Sequence, residues 1–172
     1  MILRPAKPED AEALAALGRH SFCAAFEHLY RREDLDPFLE QVYSTGAVAG
    51  EIADPGIVHR LAADTMDGPL TGYCKLRYPS WYAKDCDAQN PISLGQLYTD
   101  PDRTGEGIGA ALMDWAIAEA RQRGHDAIQL SVWSENDGAQ KFYRRYGFEH
   151  VCDTEFWVGQ HCDHEYLWQL KL

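Results

Sequence analysis

Ile92-Ser93-Leu94-Gly95-Gln96-Leu97-Tyr98-Thr99-Asp100-Pro101-Asp102-Arg103-Thr104-Gly105-Glu106-Gly107-Ile108-Gly109-Ala110-Ala111-Leu112 decides the fold of this 172-residue chain. The stretch from Ile92 to Thr99 alternates apolar and polar side chains, as a half-buried strand does, with Gly95 at a site suited to a bulge. From the glycine cluster onward the spacing changes to helical. Leu112, Met113, Ala116, Ile117 and Ala120 make a buried stripe, closed by Arg121, Arg123 and Gly124. Between strand and helix, Gly105, Gly107 and Gly109 lack a Cβ, so successive backbone N–H groups can turn toward one point. At a helix N-terminus that point is a phosphate site. No Lys-Ser or Lys-Thr follows the last glycine, which excludes a nucleoside-triphosphate loop.

Downstream, residues 127–133 read as a strand, and Asn136-Asp137 caps a helix whose Ala139, Phe142, Tyr143 and Tyr146 share one face before Gly147 stops it. Residues 150–158 and 163–171 read as two antiparallel strands around Gly159. Upstream, residues 1–5 form an opening strand, and Pro8-Glu9-Asp10 starts a helix carrying Leu14, Leu17, Phe22 and Phe26. Arg31 to Asp36 interrupts the pattern, and a second short helix is expected from Pro37 to Tyr43. Residues 57–63 and 70–78 form a hairpin through Asp67-Gly68-Pro69, followed by a polar, aromatic-dotted loop to Pro91. The expected order is strand, two helices, three strands, helix, strand, helix, two strands, in one α/β domain over residues 1–172.

A hydrophobic content of 45% supports one substantial core. Arg4, Lys7, Glu9 and Asp10 exclude a signal-peptide apolar region, and no apolar run is long enough to cross a bilayer. Five cysteines without a C-x-x-C pair indicate neither a disulfide framework nor a zinc ribbon, and a cytoplasmic setting is expected. A net charge of -11 argues against nucleic acid and anionic lipid as partners and leaves a small cation open. His150-x-Cys152 and His161-Cys162-x-His164 match no standard zinc spacing, so no metal is expected.

Leu97-Tyr98-Thr99-Asp100-Pro101 through Gly105-x-Gly107-x-Gly109-Ala110-Ala111-Leu112, followed by Asn136-x-x-Ala139-x-x-Phe142-Tyr143-x-x-x-Gly147-Phe148, resembles the GCN5-related N-acetyltransferase (GNAT) superfamily. The resemblance implies a mixed, mostly antiparallel central sheet flanked by helices. It implies acetyl-CoA as cosubstrate, a small-molecule amine as acceptor, and admits a homodimer. Backbone groups of Leu97, Tyr98 and Thr99 would then bond the pantetheine and the thioester carbonyl. The N–H groups of Thr104, Gly105, Glu106, Gly107, Ile108 and Gly109 would hold the pyrophosphate, Asn136 would touch the pantetheine arm, and Tyr143 would be the general acid. A phenol near the sulfur can protonate the departing thiolate, which supports that last role on chemical grounds.

Thr104 stands where the superfamily often has Gln or Arg, and Ser93, Gly95 and Gln96 occupy the strand where many members carry a basic Glu. The base is therefore a water relay, or a carboxylate or His elsewhere. A small polycationic amine is expected as acceptor, on three grounds: the net charge, the acids Glu27, Glu33, Asp34, Asp36 and Glu40, and a loop mixing Tyr78, Trp81 and Tyr82 with Asp85 and Asp87. Two alternatives stand beside this reading. One is a non-catalytic acyl-CoA sensor; the other is a dinucleotide-binding oxidoreductase suggested by Gly105-x-Gly107-x-x-Ala110 and Glu135.

Overall fold

A computed structural model describes residues 1–172. Seven strands form one sheet: β1 (Ile2–Pro5), β2 (Ile57–Ala63), β3 (Leu70–Arg77), β4 (Pro91–Thr99), β5 (Ala127–Trp133), β6 (Glu149–Val158) and β7 (His161–Lys171). Their spatial order is β1-β2-β3-β4-β5-β7-β6, and only the β4/β5 pair is parallel. That pair needs a crossover, which is supplied by α4 (Ile108–Gln122). The other helices are α1 (Ala11–Phe26), α2 (Arg32–Tyr43), α3 (Thr45–Ala53) and α5 (Asp137–Arg145).

Side chains alternate across the sheet, and the two faces collect different helices. Leu61 and Tyr73 pack with Leu14, Leu17 and Val48 from α1 and α3. Their neighbours Ala62, Cys74 and Leu76 pack instead with Ile108, Leu112, Met113 and Ala116 of α4. Leu112 and Met113 are wholly buried, a burial worth about 1.5–3 kcal/mol for each such side chain. Phe22, Leu35, Leu39, Tyr43 and Val158 form a third cluster that ties α1 and α2 to the β6–β7 hairpin.

Two expectations about the first third of the chain are corrected. The second helix begins at Arg32, not Pro37, and Pro37 lies inside it. An interior proline costs about 3 kcal/mol, and long-range contacts offset it. Leu35 is buried, and Asp34 accepts the backbone N–H of Gln160 at 2.9 Å while pairing with Arg31. The helix thereby clasps the distant hairpin turn, where a Cβ on Gly159 would collide with Asp34. A third helix, α3, was not expected. Its glycines Gly46 and Gly50 weaken the local signal, while the Ser44 hydroxyl caps it by accepting the Ala47 N–H and Val48 anchors it in the core.

The register of β3 against β4 slips at one residue: Lys75 pairs with Gln96 and Leu76 with Leu94, leaving Gly95 as the bulge. β4 lies beside β5 only from Pro91 to Ser93, against Ala127 to Gln129. From Leu94 onward the two strands separate, while β5 stays paired with β7 as far as Trp133. The wedge so opened is the one interruption in the middle of the sheet.

Candidate active site

A cavity of about 490 Å³ fills the wedge, and aromatic side chains dominate its wall. Phe22, Phe26, Tyr30 and Phe38 come from the α1–α2 side, Trp133 from the end of β5 and Phe156 from β6. The loop between β3 and β4 adds Trp81 and Tyr82, held by a buried polar chain. Ser93 Oγ accepts the Trp81 N–H (2.9 Å) and donates to Ser80 Oγ (2.8 Å), which in turn donates to Gln129 Oε1 (2.5 Å). Tyr82 Oη donates to Ser131 Oγ at 3.1 Å. Ser93 and Gln129 stand opposite each other in the last paired rung of β4 and β5, so the loop is fastened where the strands part.

Leu97 and Tyr98 line the cavity. Their strand is paired with β3 on one edge only, which leaves main-chain groups on the other edge facing the wedge. Thr99 lies farther out, beside the glycine turn: its Oγ1 would be 3.6 Å from a Cβ placed on Gly109. Helix α4 approaches the sheet closely because Gly72 has no side chain; a Cβ there would lie 2.7 Å from Ile108 Cγ2.

The turn from Thr104 to Gly109 does not line the cavity; it sits beyond the end of β4 at the start of α4. Gly105 and Gly107 adopt φ of +84° and +81°, a region that glycine enters without strain. None of the backbone N–H groups from Thr104 to Ala110 meets an acceptor within the protein. Unpaired N–H groups joined to the positive end of a helix form an anion cradle. The acid in the turn, Glu106, is engaged by Arg103, which also grips Asp64 (3.0 Å); the Arg103 guanidinium holds the Glu106 carboxyl below the usual carboxylate range. Neither the Thr104 side chain nor Arg103 is needed to complete a cradle built from main chain.

Asn136 and Tyr143 meet in the cavity. Asn136 Oδ1 caps α5 by accepting the Ala139 N–H at 3.0 Å, so its position is fixed by the helix start. Tyr143 packs on Phe142 and Phe148 and is also part of the core margin. Its hydroxyl makes no hydrogen bond within the protein. Burial, with smaller contributions from Tyr98 and Glu165, pushes the phenol well above its ordinary value, so it carries its proton at neutral pH.

Three carboxylates line the cavity, and none was singled out in the sequence: Glu51, Asp163 and Glu165. Burial pushes Glu51 up, but its bond to His59 and the neighbouring Lys75 (2.8 Å) outweigh it and bring the carboxyl below its usual range. Asp163 accepts from Tyr30 Oη at 2.5 Å and lies 3.0 Å from His161 Nε2. Burial raises Glu165, the nearby Ser131 hydroxyl opposes that, and Asp163 reinforces it, with the net shift upward. Nothing local marks these residues: Glu51 lies on α3, a helix with a weak local signal, and Asp163 and Glu165 alternate with other side chains on the terminal strand, where an acid looks like a solvated one.

The acids that suggested a polycation lie elsewhere. Glu27, Glu33, Asp34, Asp36, Glu40, Asp85 and Asp87 are all outside the cavity lining, as is Tyr78. Asp34 serves the hairpin turn, Asp36 pairs with Arg32, and Asp87 pairs with Lys171. The His150 and His164 side chains both reach Asp153, whereas His161 turns to Asp163. All five cysteines are free. With a single parallel pair, the sheet lacks the repeated strand-helix-strand units of a dinucleotide fold. No helix is long and apolar enough to cross a membrane.

Comparison with known proteins agrees with this geometry. The family model described as Acetyltransferase (GNAT) family matches residues 19–148. Streptothricin acetyltransferase of Streptomyces lavendulae is 31% identical over 84% of this chain and 79% of its own. An N-acetyltransferase of Mycobacterium tuberculosis is 29% identical over 92% of this chain and 95% of its own. Among solved structures, the PaiA N-acetyltransferase of Thermoplasma acidophilum in complex with coenzyme A superposes with a TM-score of 0.79, covering 99% of this chain and 98% of that one at 23% identity.

Proposed function

The chain belongs to the acetyltransferase (GNAT) family, an N-acetyltransferase with acetyl-CoA as donor, and from that premise we propose that it acetylates a small primary amine held in the aromatic wedge. The observation that carries this reading is the succession of three parts along β4 and into α4: a cavity lined by Tyr143, a strand edge without a strand partner, and unpaired N–H groups at the start of α4. The N–H groups from Thr104 to Gly109 suit the pyrophosphate. The edge of β4 at Leu97, Tyr98 and Thr99, which has no strand partner and where the Thr99 carbonyl accepts the Ser21 hydroxyl (3.4 Å), suits the pantetheine amides, with an N–H beside the Gly95 bulge suited to the thioester oxygen. Asn136 flanks that arm. The donor supplies a thioester carbonyl open to nucleophilic attack. Tyr143 holds the proton that the leaving sulfur needs.

The wall chemistry also bears on the acceptor. An ammonium with an apolar or aromatic body fits a cavity of aromatic faces with acids at one side. A polyamine remains the second reading, favoured by the pair Asp163 and Glu165 at that side. Calorimetry with CoA tests the donor site. Thiol release from acetyl-CoA, with arylalkylamines, polyamines, aminoglycosides and amino acids as acceptors, tests the acceptor. Activity confined to polyamines would discard the apolar-body reading, and absence of CoA binding would discard the assignment of the cradle.

A further inference from the structure

We infer that Glu165 is the catalytic base that takes the proton from the acceptor's ammonium, an inference that rests on the acetyltransferase reading above. The amine must be unprotonated to attack, yet an alkylammonium holds its proton at neutral pH, so the cavity requires an acceptor for that proton. The usual strand position offers none, since Ser93, Gly95 and Gln96 occupy it. Each carboxylate of the cavity wall can be tested by what already holds it.

Glu51 is committed to Lys75 and His59 at the floor of the sheet. Asp163 is committed on both oxygens, to Tyr30 on one and His161 on the other. Glu165 alone has an oxygen, Oε2, that is buried and meets no donor. A buried carboxylate oxygen without a donor is costly as an anion, so Glu165 gains from taking up a proton, and the residue lines the cavity in which an ammonium would deliver one.

Placement agrees with the role. Glu165 stands across from Trp133 at the end of β5, on the wall of the wedge opposite β4. The groups facing it are Ser131 from β5, Asp163 from its own strand, Tyr82 from the loop, Tyr98 from β4, Tyr143 from α5 and Tyr30 from beyond α1. No lysine or arginine is among them. The carboxylate thus keeps a raised proton affinity, which suits a base poised nearer neutrality than an ordinary glutamate.

The transfer then balances. Glu165 accepts one proton from R–NH3+, and the freed lone pair forms the C–N bond with the thioester carbonyl carbon. The C–S bond breaks with its electron pair going to sulfur, and Tyr143 gives that sulfur its phenolic proton. The second nitrogen proton restores Tyr143, and the proton on Glu165 passes to water. The products are the N-acetyl amide and free CoA thiol.

The test is Glu165→Gln, which keeps shape and removes basicity, assayed with whichever amine of the panel gives the native protein its largest kcat/KM. We expect kcat/KM at pH 7 to fall about a hundredfold or more, with CoA affinity unchanged. The deficit should shrink as pH rises and free amine becomes available without a base. Two readouts do not depend on turnover. Native-minus-variant infrared titration should place the carboxyl midpoint above the ordinary glutamate value of about 4.3. The variant's thermal midpoint at neutral pH should not fall, because the substitution removes a desolvated charge. A native-like rate from pH 6 to 9, or a midpoint at the ordinary value, overturns the assignment. CoA binding and native turnover test the acetyltransferase reading, whereas the variant-to-native ratio tests Glu165 alone.

Discussion

Trp81 occupies the space left by the missing side chain of Gly95: a Cβ on that glycine would lie 2.9 Å from Trp81 Cζ3 and 3.3 Å from Lys75 Cε. The bulge that opens the sheet therefore also seats the loop that covers the opening. Trp81 is 51% exposed and can yield, so Gly95→Ala should displace the loop more than it destabilises the fold. The expected result is a higher KM for the amine and a shifted tryptophan emission, with a stability change of about 1 kcal/mol. Native emission and native KM would show that the loop is seated by Ser80 and Ser93 alone.

Gly109→Val tests the anion cradle without a backbone penalty. Its φ is ordinary, and a Cβ there would meet only Thr99 Oγ1 at 3.6 Å, so the fold should tolerate the change. The branched side chain would project where the pyrophosphate approaches the start of α4. CoA affinity should weaken by about tenfold or more, a loss of at least about 1.4 kcal/mol, measured by calorimetry. Gly107→Val is less informative, because φ of +81° strains any β-branched residue there whether or not phosphate binds. Unchanged affinity in Gly109→Val would move the phosphate site away from this turn.

Tyr143→Phe separates proton donation from packing. The ring contacts with Phe142 and Phe148 survive, so the thermal midpoint should stay close to native. If the phenol protonates sulfur, kcat should fall about tenfold to several hundredfold while CoA affinity holds. A full native kcat would leave Tyr143 as a wall residue and assign the proton to solvent.

A fourth prediction concerns stability against pH. Arg4 donates to both oxygens of Asp10 at 2.7 Å, with side chains 11% and 13% exposed, joining β1 to the start of α1. That bond lowers the Asp10 carboxyl, burial opposes it, and the Lys7 N–H lowers it further. A depressed folded pKa gives stability that is present above the unfolded value, about 3.9, and lost as pH falls through the folded value. Asp10→Ala should cost about 1–3 kcal/mol at pH 7, and the gap to native should close at strongly acidic pH. A gap constant from pH 7 down to the acid transition would mean that the ion pair contributes nothing.

The glycine turn was legible because its signal is local. Gly105 and Gly107 must enter the left-handed region, and the strand before them and the helix after them announce themselves by period. The same holds for the cap at Asn136, fixed by Ala139 three residues on, whereas the bulge at Gly95 shows locally only as a glycine within a strand pattern and takes its register from Lys75 and Leu76 on β3. The start of α2 at Arg32 is not legible in the sequence because its cause is remote. Local preference favours a helix beginning at Pro37, and what overrules it is the bond from Gln160 to Asp34 together with the burial of Leu35.

The amino-acid sequence by itself determined the class of this protein: a strand that stops, a turn only glycine can make, and a helix whose N-terminus leaves its N–H groups unpaired. Only the tertiary structure decided which acids matter. Glu33 and Glu40 stand near aromatics in the sequence yet lie outside the cavity, whereas Glu165 is carried into it by the pairing of β7 with β5. A backbone turn is specified by the torsions of its own residues. The environment of a carboxylate is specified by what packs around it, and here those partners come from β4, β5, α5 and a loop scattered along the chain.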